Sequence, residues 1–370
     1  MVAAFVVAFL ALCLVALFAW SFRHLPGERW QVLATLPFQR EAHGVWRGLN
    51  LTYYGVFNSL GVAAAVALAA FLEGTAGLPV DTLTWGVVAI LAICIPASRI
   101  VNRIVEGHWH GFTVGGASFA GMLVAPWLTW IVLLFTMPGD PTSASLCVLG
   151  AIASGYALGE GIGRLACISF GCCYGRRLAD CPTWLQKLFT SSAFIFEGRL
   201  KKASYECGFE GQRLIPVQAL TAIISSSSGL AGVALYLCGC PMLAYVLPIA
   251  VTQVWRFVSE FLRADYRGAG RITAYQWMAL AGAGYTIALS LLWPSAQLPA
   301  PNVARGLALL WTPGTIVLIE VIAFFVFVRM GVSTVTASRV AFEFRSDMAM
   351  SPQSLKGEAE GCPIAHDHNS

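Results

Sequence analysis

An all-α, polytopic transmembrane helical bundle is the fold class this sequence predicts, with about nine spans, a seven-span core and a cap between spans five and six. Hydrophobic residues make up 57% of the 370-residue chain and charged residues only 11%, against about a quarter charged in soluble domains. The apolar runs are long and continuous, as in helices, rather than alternating in the ten-residue segments of a barrel. A formal net charge of +4, with no cluster of basic and aromatic residues, excludes nucleic acid as a partner.

Hydropathy places the spans near residues 2–21, 53–72, 83–104, 117–137, 145–165, 214–238, 242–262, 273–293 and 306–330. Met1 to Trp20 lacks a basic leader and a small-residue cleavage site, so it reads as a retained span. Leu12 before Cys13 is too large for a lipoprotein cleavage box. The second to eighth spans carry dense polar features, while the first and last are nearly featureless additions. The expected organisation is therefore an extra span and loop over 1–50, a core over 51–293, an extra span over 294–337 and a disordered polar tail over 338–370.

Two connections are long. Residues 22–50 hold Arg23, Arg29, Arg40 and Arg47, and residues 166–213 mix Arg176, Arg177, Lys201 and Lys202 with Trp184, Phe189, Phe194 and Phe196. The second mixture predicts a small folded or interfacial cap. Nearly all loop Arg and Lys fall on one side of the membrane, with only Arg305 on the other. By the positive-inside rule the rich side is cytoplasmic.

Of the 11 cysteines, Cys167, Cys172, Cys173, Cys181 and Cys207 lie in or beside one loop. Adjacent cysteines are poorly placed to share a tetrahedral ion, so neither a metal nor another cofactor is expected. Cys362, His366 and His368 read as part of the disordered tail rather than a metal site.

Four polar constellations lie within or at the ends of spans, where each charge needs a reason. Arg99, Asn102, Arg103 and Glu106 share one stripe, as a solvated helix end or as a binding face. His108, His110, Gly111, Gly115, Gly116, Ser118, Ala120 and Gly121 precede or open the fourth span, as a turn and packing face or as a site of close backbone approach. Glu160 and Arg164, four apart, either neutralise each other or leave Arg164 as an anion clamp. Arg256, Glu260 and Arg263 make an Arg–Glu–Arg face, continued by Asp265, Arg267 and Arg271. It is either a self-satisfied triad or a face with one net positive charge where a phosphate docks. Gly155, Gly159 and Gly163 form a smooth helix face ending at Arg164, followed by the Gly171–Cys172–Cys173–Tyr174–Gly175 turn. Helix alternation puts Arg99, Arg103, Arg164, Arg256 and Arg263 on one membrane face, which suits a lipid with an anionic head group.

The segments Tyr53-Tyr54-Gly55-Val56, Ser98-Arg99-Ile100 and Gly115-Gly116-Ala117-Ser118-Phe119-Ala120-Gly121 come first along the core. Gly163-Arg164-Leu165-Ala166-Cys167 with Gly171, Pro216-x-Gln218 and Arg256-x-x-x-Glu260-Phe261-Leu262-Arg263 follow, and Gln276 opens the last core helix. In order and spacing, over about residues 50–293, these resemble the prolipoprotein diacylglyceryl transferase family of bacterial lipoprotein maturation. The resemblance implies transfer of diacylglycerol from phosphatidylglycerol to the lipobox cysteine thiol of prolipoproteins, by a multi-pass protein of the bacterial inner membrane. It implies phosphatidylglycerol, the lipobox cysteine and the lipid bilayer as partners. Carried over, Arg164, Arg256 and Glu260 are the catalytic candidates, and Arg164, Arg256, Arg263, Arg99, Tyr54, Gly116 and Ser118 the phospholipid-binding ones.

This sequence departs from the family pattern at Ala120 and Ile215, where the family has histidines, at Cys167, where it has asparagine, and at Cys172, where it has an acid. The general base is left open among Glu260, Glu160, Cys172 and His108. A divergent member with another acceptor or transferred group, or a non-enzymatic binder of anionic phospholipid, are the alternative readings. The resemblance also implies that the loop after Gly175 faces away from the cytoplasm, opposite to the Arg and Lys bias.

Overall fold

The computed structural model describes residues 2–41, 45–106, 114–137, 140–265, 272–293, 300–333 and 339–340. His108, His110, Gly111, Arg267, Arg271 and the tail cluster of Cys362, His366 and His368 lie outside them. In chain order the elements are α1 (Val2–His24), β1 (Val32–Arg40), β2 (Trp46–Thr52), α2 (Tyr53–Thr75), α3 (Val80–Glu106), α4 (Val114–Thr136) and α5 (Pro141–Phe170). The cap follows with α6 (Thr183–Phe189), β3 (Phe194–Ile195), α7 (Lys202–Cys207) and β4 (Arg213–Leu214). Then come α8 (Val217–Leu237), α9 (Pro241–Ser259), α10 (Ala274–Leu292), α11 (Val303–Leu310), α12 (Pro313–Gly331), β5 (Val332–Ser333) and β6 (Arg339–Val340).

Among the described residues, eight helices are long and apolar enough to cross a membrane: α1 to α5, α8, α9 with its terminal turn, and α12. The eighth expected span, α10, has 19 residues but carries Tyr275, Gln276 and Trp277 in its first turn, which lower its hydropathy. It packs against α4 and α9 as a core helix does. The expected span over 306–330 is two helices, because Thr312 caps and Pro313 starts α12 and so interrupts the run after α11.

The centre of the bundle is α5, packed on α2, α8 and α9. Its glycine face does what its spacing predicts. A Cβ at Gly159 would meet the Gly61 carbonyl at 2.6 Å, and one at Gly155 would meet the Ala65 carbonyl at 2.5 Å. The backbones of α2 and α5 therefore touch, which in lipid replaces the hydrophobic drive that helices lack there.

The hairpin of β1 and β2 is the largest departure from an all-helical expectation. The two strands pair antiparallel, and β2 also pairs β5 and β6, so chain from both ends of the sequence meets in one sheet. Pro37 lacks an N–H and coincides with a register shift in the hairpin, which hides the strand from a pattern search. The cap is folded: Phe189, Phe194 and Phe196 are buried, while Trp184 stays exposed. Lys201, fully buried, ties the cap to the bundle by donating to the Leu25 carbonyl at 2.9 Å and the Ser169 carbonyl at 2.6 Å.

Gly159→Val is expected to destabilise the purified protein by about 1–3 kcal/mol through overpacking. Gly284→Ala, at a position with open space around it, should leave the thermal midpoint within a degree or two. Burial pushes the Lys201 ammonium from its ordinary 10.5 down to about 7. Across that window the unfolded chain holds a proton that the folded chain has released, so stability rises with pH. Thermal unfolding from pH 7 to pH 10 checks this, and Lys201→Met should remove that rise.

Candidate functional site

The helix ends that alternation places on one face converge on a cleft of about 520 Å³. The first turn of α2 brings Tyr54, the last turns of α3 bring Asn102, and the first turn of α4 brings Gly115. α5 contributes Glu160, Arg164 and Cys167, α9 contributes Arg256, and the turn after it contributes Glu260 and Arg263. Lys202 of the cap and Val332 and Ser333 of β5 complete the rim.

Glu160 is the hub. Its Oε1 lies 2.7 Å from Arg164 Nη2 and 2.6 Å from Arg256 Nη2. Two guanidiniums thus share one carboxylate, and the trio carries one net positive charge. Arg256 also donates to Ser118 Oγ at 2.5 Å and to the Tyr156 hydroxyl at 3.3 Å. Of the two possibilities left open for Arg164, the structure shows the pair with Glu160, and Arg256 joins it as a second cation. The second oxygen, Glu160 Oε2, is buried and has no hydrogen-bond partner among the described residues.

The Arg–Glu–Arg face does not form as its spacing suggests. α9 stops at Ser259, and residues Glu260–Leu262 make a tighter 3₁₀ turn, so the i, i+4, i+7 rule for an α-helix no longer applies. Arg256 turns to Glu160 instead of Glu260. Arg263 binds Asp265 with two donors, at 2.8 and 2.5 Å, and lies 3.6 Å from Glu260. Arg263 is thereby held at the rim as part of a locally acidic group.

Tyr54 stacks edge-on against Phe170 and lines the cleft. Gly116 is buried in the first turn of α4 beside Gly115. Arg99 and Arg103 are exposed on α3 outside the cleft wall, whereas Asn102 between them is buried and faces it. Tyr156 precedes Glu160 by four residues, so its share in the Arg256 network was readable as the next step of the same helix face. The wall residues Gln31, Val32 and Thr52 had no comparable signal, because the hairpin that presents them was hidden.

The Gly171–Gly175 loop is built by capping. Gly171 adopts the left-handed conformation, with φ +75°, and ends α5. Its N–H donates to the Ile168 carbonyl at 3.2 Å, and the Cys172 N–H donates to the Cys167 carbonyl at 3.1 Å. This is the Schellman arrangement, which packs the side chains of Cys172 and Cys167 together. Cys173 is also left-handed, with φ +55°. The sulfurs of Cys167, Cys172 and Cys173 all lie within 4.8 Å of one another. The expectation that adjacent cysteines are poorly placed to share an ion considered spacing along the chain alone, and the turn that ends α5 brings in the third sulfur. Cys181 is buried in the cap, and Cys207 lies 3.1 Å from the Tyr174 hydroxyl, away from this group.

Fold and site together define a polytopic helical membrane protein with a cationic cleft open at one face. The family model described as Prolipoprotein diacylglyceryl transferase matches residues 44–292, and the chain belongs to that family. No curated protein matches the chain. Membership makes it a transferase of lipoprotein maturation that acts on lipid and prolipoprotein substrates in a membrane.

Glu160→Gln leaves two buried guanidiniums without their counter-charge and is expected to cost about 3–5 kcal/mol. Arg99→Ala, on an exposed helix face, should stay within about 0.5 kcal/mol. Denaturation of the two variants beside the parent checks the contrast.

Proposed function

We propose that the cleft moves diacylglycerol from phosphatidylglycerol to the lipobox cysteine thiol of a prolipoprotein. The observation that carries this reading is the single net positive charge of the Arg164–Glu160–Arg256 trio at the cleft wall. A phosphodiester carries one negative charge, and guanidinium forks match its oxygens. When the ester bond to glycerol breaks, the departing glycerol phosphate gains charge, and fixed cations there stabilise the transition state more than the ground state. The unpartnered Glu160 Oε2 is an acceptor suited to a hydroxyl of the glycerol head group. Ser118 and Tyr156 hold the Arg256 guanidinium in place.

Neither family histidine has a counterpart here: Ala120 is a half-buried methyl group on α4, and Ile215 is buried in the cap. Of the candidate bases, Glu160 is engaged by two arginines and Glu260 lies beside Arg263. Neither carboxylate is therefore the favoured acceptor of the thiol proton; Cys172 lines the cleft, and His108 lies outside the described residues.

We place the cleft on the outer side of a bacterial inner membrane. Arg164, Arg256, Arg263 and Lys202 line the cleft and Lys201 ties down the cap, so these cations answer to the site rather than to insertion. Because Val332 and Ser333 line the cleft, chain beyond them starts on that side. A reporter fused after Val340 that is active only outside the cytoplasm should be active, and an inactive fusion overturns the placement.

Purified protein should convert a lipobox peptide in phosphatidylglycerol vesicles, with the mass of one diacylglyceryl group added, and should leave it unmodified in phosphatidylcholine vesicles. Arg164→Ala and Arg256→Ala should each lower kcat/KM by about 10²–10³-fold. Equal turnover with both lipids, or full activity in both variants, contradicts the reading.

A further inference from the structure

We propose that Cys167, Cys172 and Cys173 form a three-thiolate site for a soft metal ion such as Zn²⁺, and that the fourth position of this ion takes the acceptor thiol as a thiolate. The first part stands on geometry alone, whereas the second rests on the diacylglyceryl reading. A zinc–sulfur bond of about 2.3 Å sets sulfurs about 3.8 to 4.0 Å apart around one ion. The three sulfurs, all within 4.8 Å of one another and half-buried, need only a small contraction to reach it.

Separate features of the backbone hold them there. The Schellman cap of α5 joins Cys172 to Cys167, and the left-handed backbone of Cys173 turns the chain back at once. Gln218 pins the loop by donating to the Cys172 carbonyl at 2.9 Å, and the Ala264 N–H donates to the Tyr174 carbonyl at 3.1 Å. Cations surround the group: Arg164 acts electrostatically on Cys167 and Cys173, Arg263 on Cys173, and Lys202 on Cys172. They offset the single negative charge of a divalent ion with three thiolates. Among the described residues no histidine or carboxylate joins the group. All three cysteines line the cleft, so the remaining position opens on the substrate. Three protein ligands and one open position is the form of a zinc site that does chemistry.

The chemistry closes on the gap left at Ala120. A thiol that binds such an ion gives up its proton to solvent and stays deprotonated at neutral pH. The bound sulfur then attacks the glyceryl carbon that carries the phosphate ester. The carbon–sulfur bond forms as the carbon–oxygen bond breaks, and that electron pair leaves on glycerol phosphate. The product is a thioether, a weaker ligand than a thiolate, which frees the position.

The test uses the full-length protein in detergent with Co²⁺ as probe. One equivalent should bind with a thiolate-to-cobalt charge-transfer band, lost in Cys172→Ser and in Cys173→Ser. In the unmutated chain, Zn²⁺ should protect Cys172 and Cys173 from maleimide while the exposed Cys238 and Cys240, at the turn between α8 and α9, react as before. A lipobox peptide should intensify the cobalt band, whereas its cysteine-to-serine analogue should not. Transfer in phosphatidylglycerol vesicles should stop on chelation and return with Zn²⁺. Absence of the band, no protection of the loop cysteines, or a disulfide among the three in protein alkylated on extraction overturns the site. An unmoved cobalt band with peptide, or full transfer in metal-free protein, overturns the fourth-ligand role. A peptide-responsive band with no transfer under any condition supports the site and overturns the diacylglyceryl reading instead.

Discussion

One carboxylate shared by two guanidiniums organises this protein. Charges at membrane depth are costly and persist only when paired or used. Glu160 pairs with Arg164 one turn along α5 and with Arg256 across on α9, so a single acid joins two helices and still leaves one positive charge over. The ion pair reaches across because α5 is central, packed on α2, α8 and α9. That central place in turn depends on the small-residue contact with α2 at Gly155 and Gly159. The charge that a phospholipid head group would meet and the packing that holds the bundle are thus parts of one arrangement.

The cap and the hairpin then enclose the cleft. Lys201 reaches two carbonyls, one just past α1 and one at the end of α5. The chain after Arg256 crosses to the cysteine loop, where Gly175 bridges Arg263 and the Arg176 N–H donates to the Leu262 carbonyl at 2.9 Å. The rim arginine and the cysteine loop are therefore held to each other by backbone hydrogen bonds as well as by charge.

Much of this was legible in the sequence, because its signals are local and physical. Long apolar runs give the helices, the four-residue glycine spacing gives α5 a face for close packing, and alternation brings Arg164, Arg256 and Arg263 to one face. The pairing of the charges was not legible. Arg256 of α9 meets Glu160 of α5, a contact between two helices that no spacing along one helix announces. The hairpin was hidden by Pro37, and its partners β5 and β6 come from the far end of the chain, beyond any local pattern. The cysteine group needed the left-handed Cys173, a conformation that a non-glycine residue does not announce.

The central claim is that the Arg164–Glu160–Arg256 trio receives the phosphate of an anionic lipid. Electron cryomicroscopy of the protein in phosphatidylglycerol nanodiscs tests it directly. The account predicts a head-group phosphate within hydrogen-bonding distance of both Arg164 and Arg256, and its loss in Arg256→Ala. A phosphate bound instead at the exposed Arg99 and Arg103, with the trio contacted only by acyl chains, would contradict it.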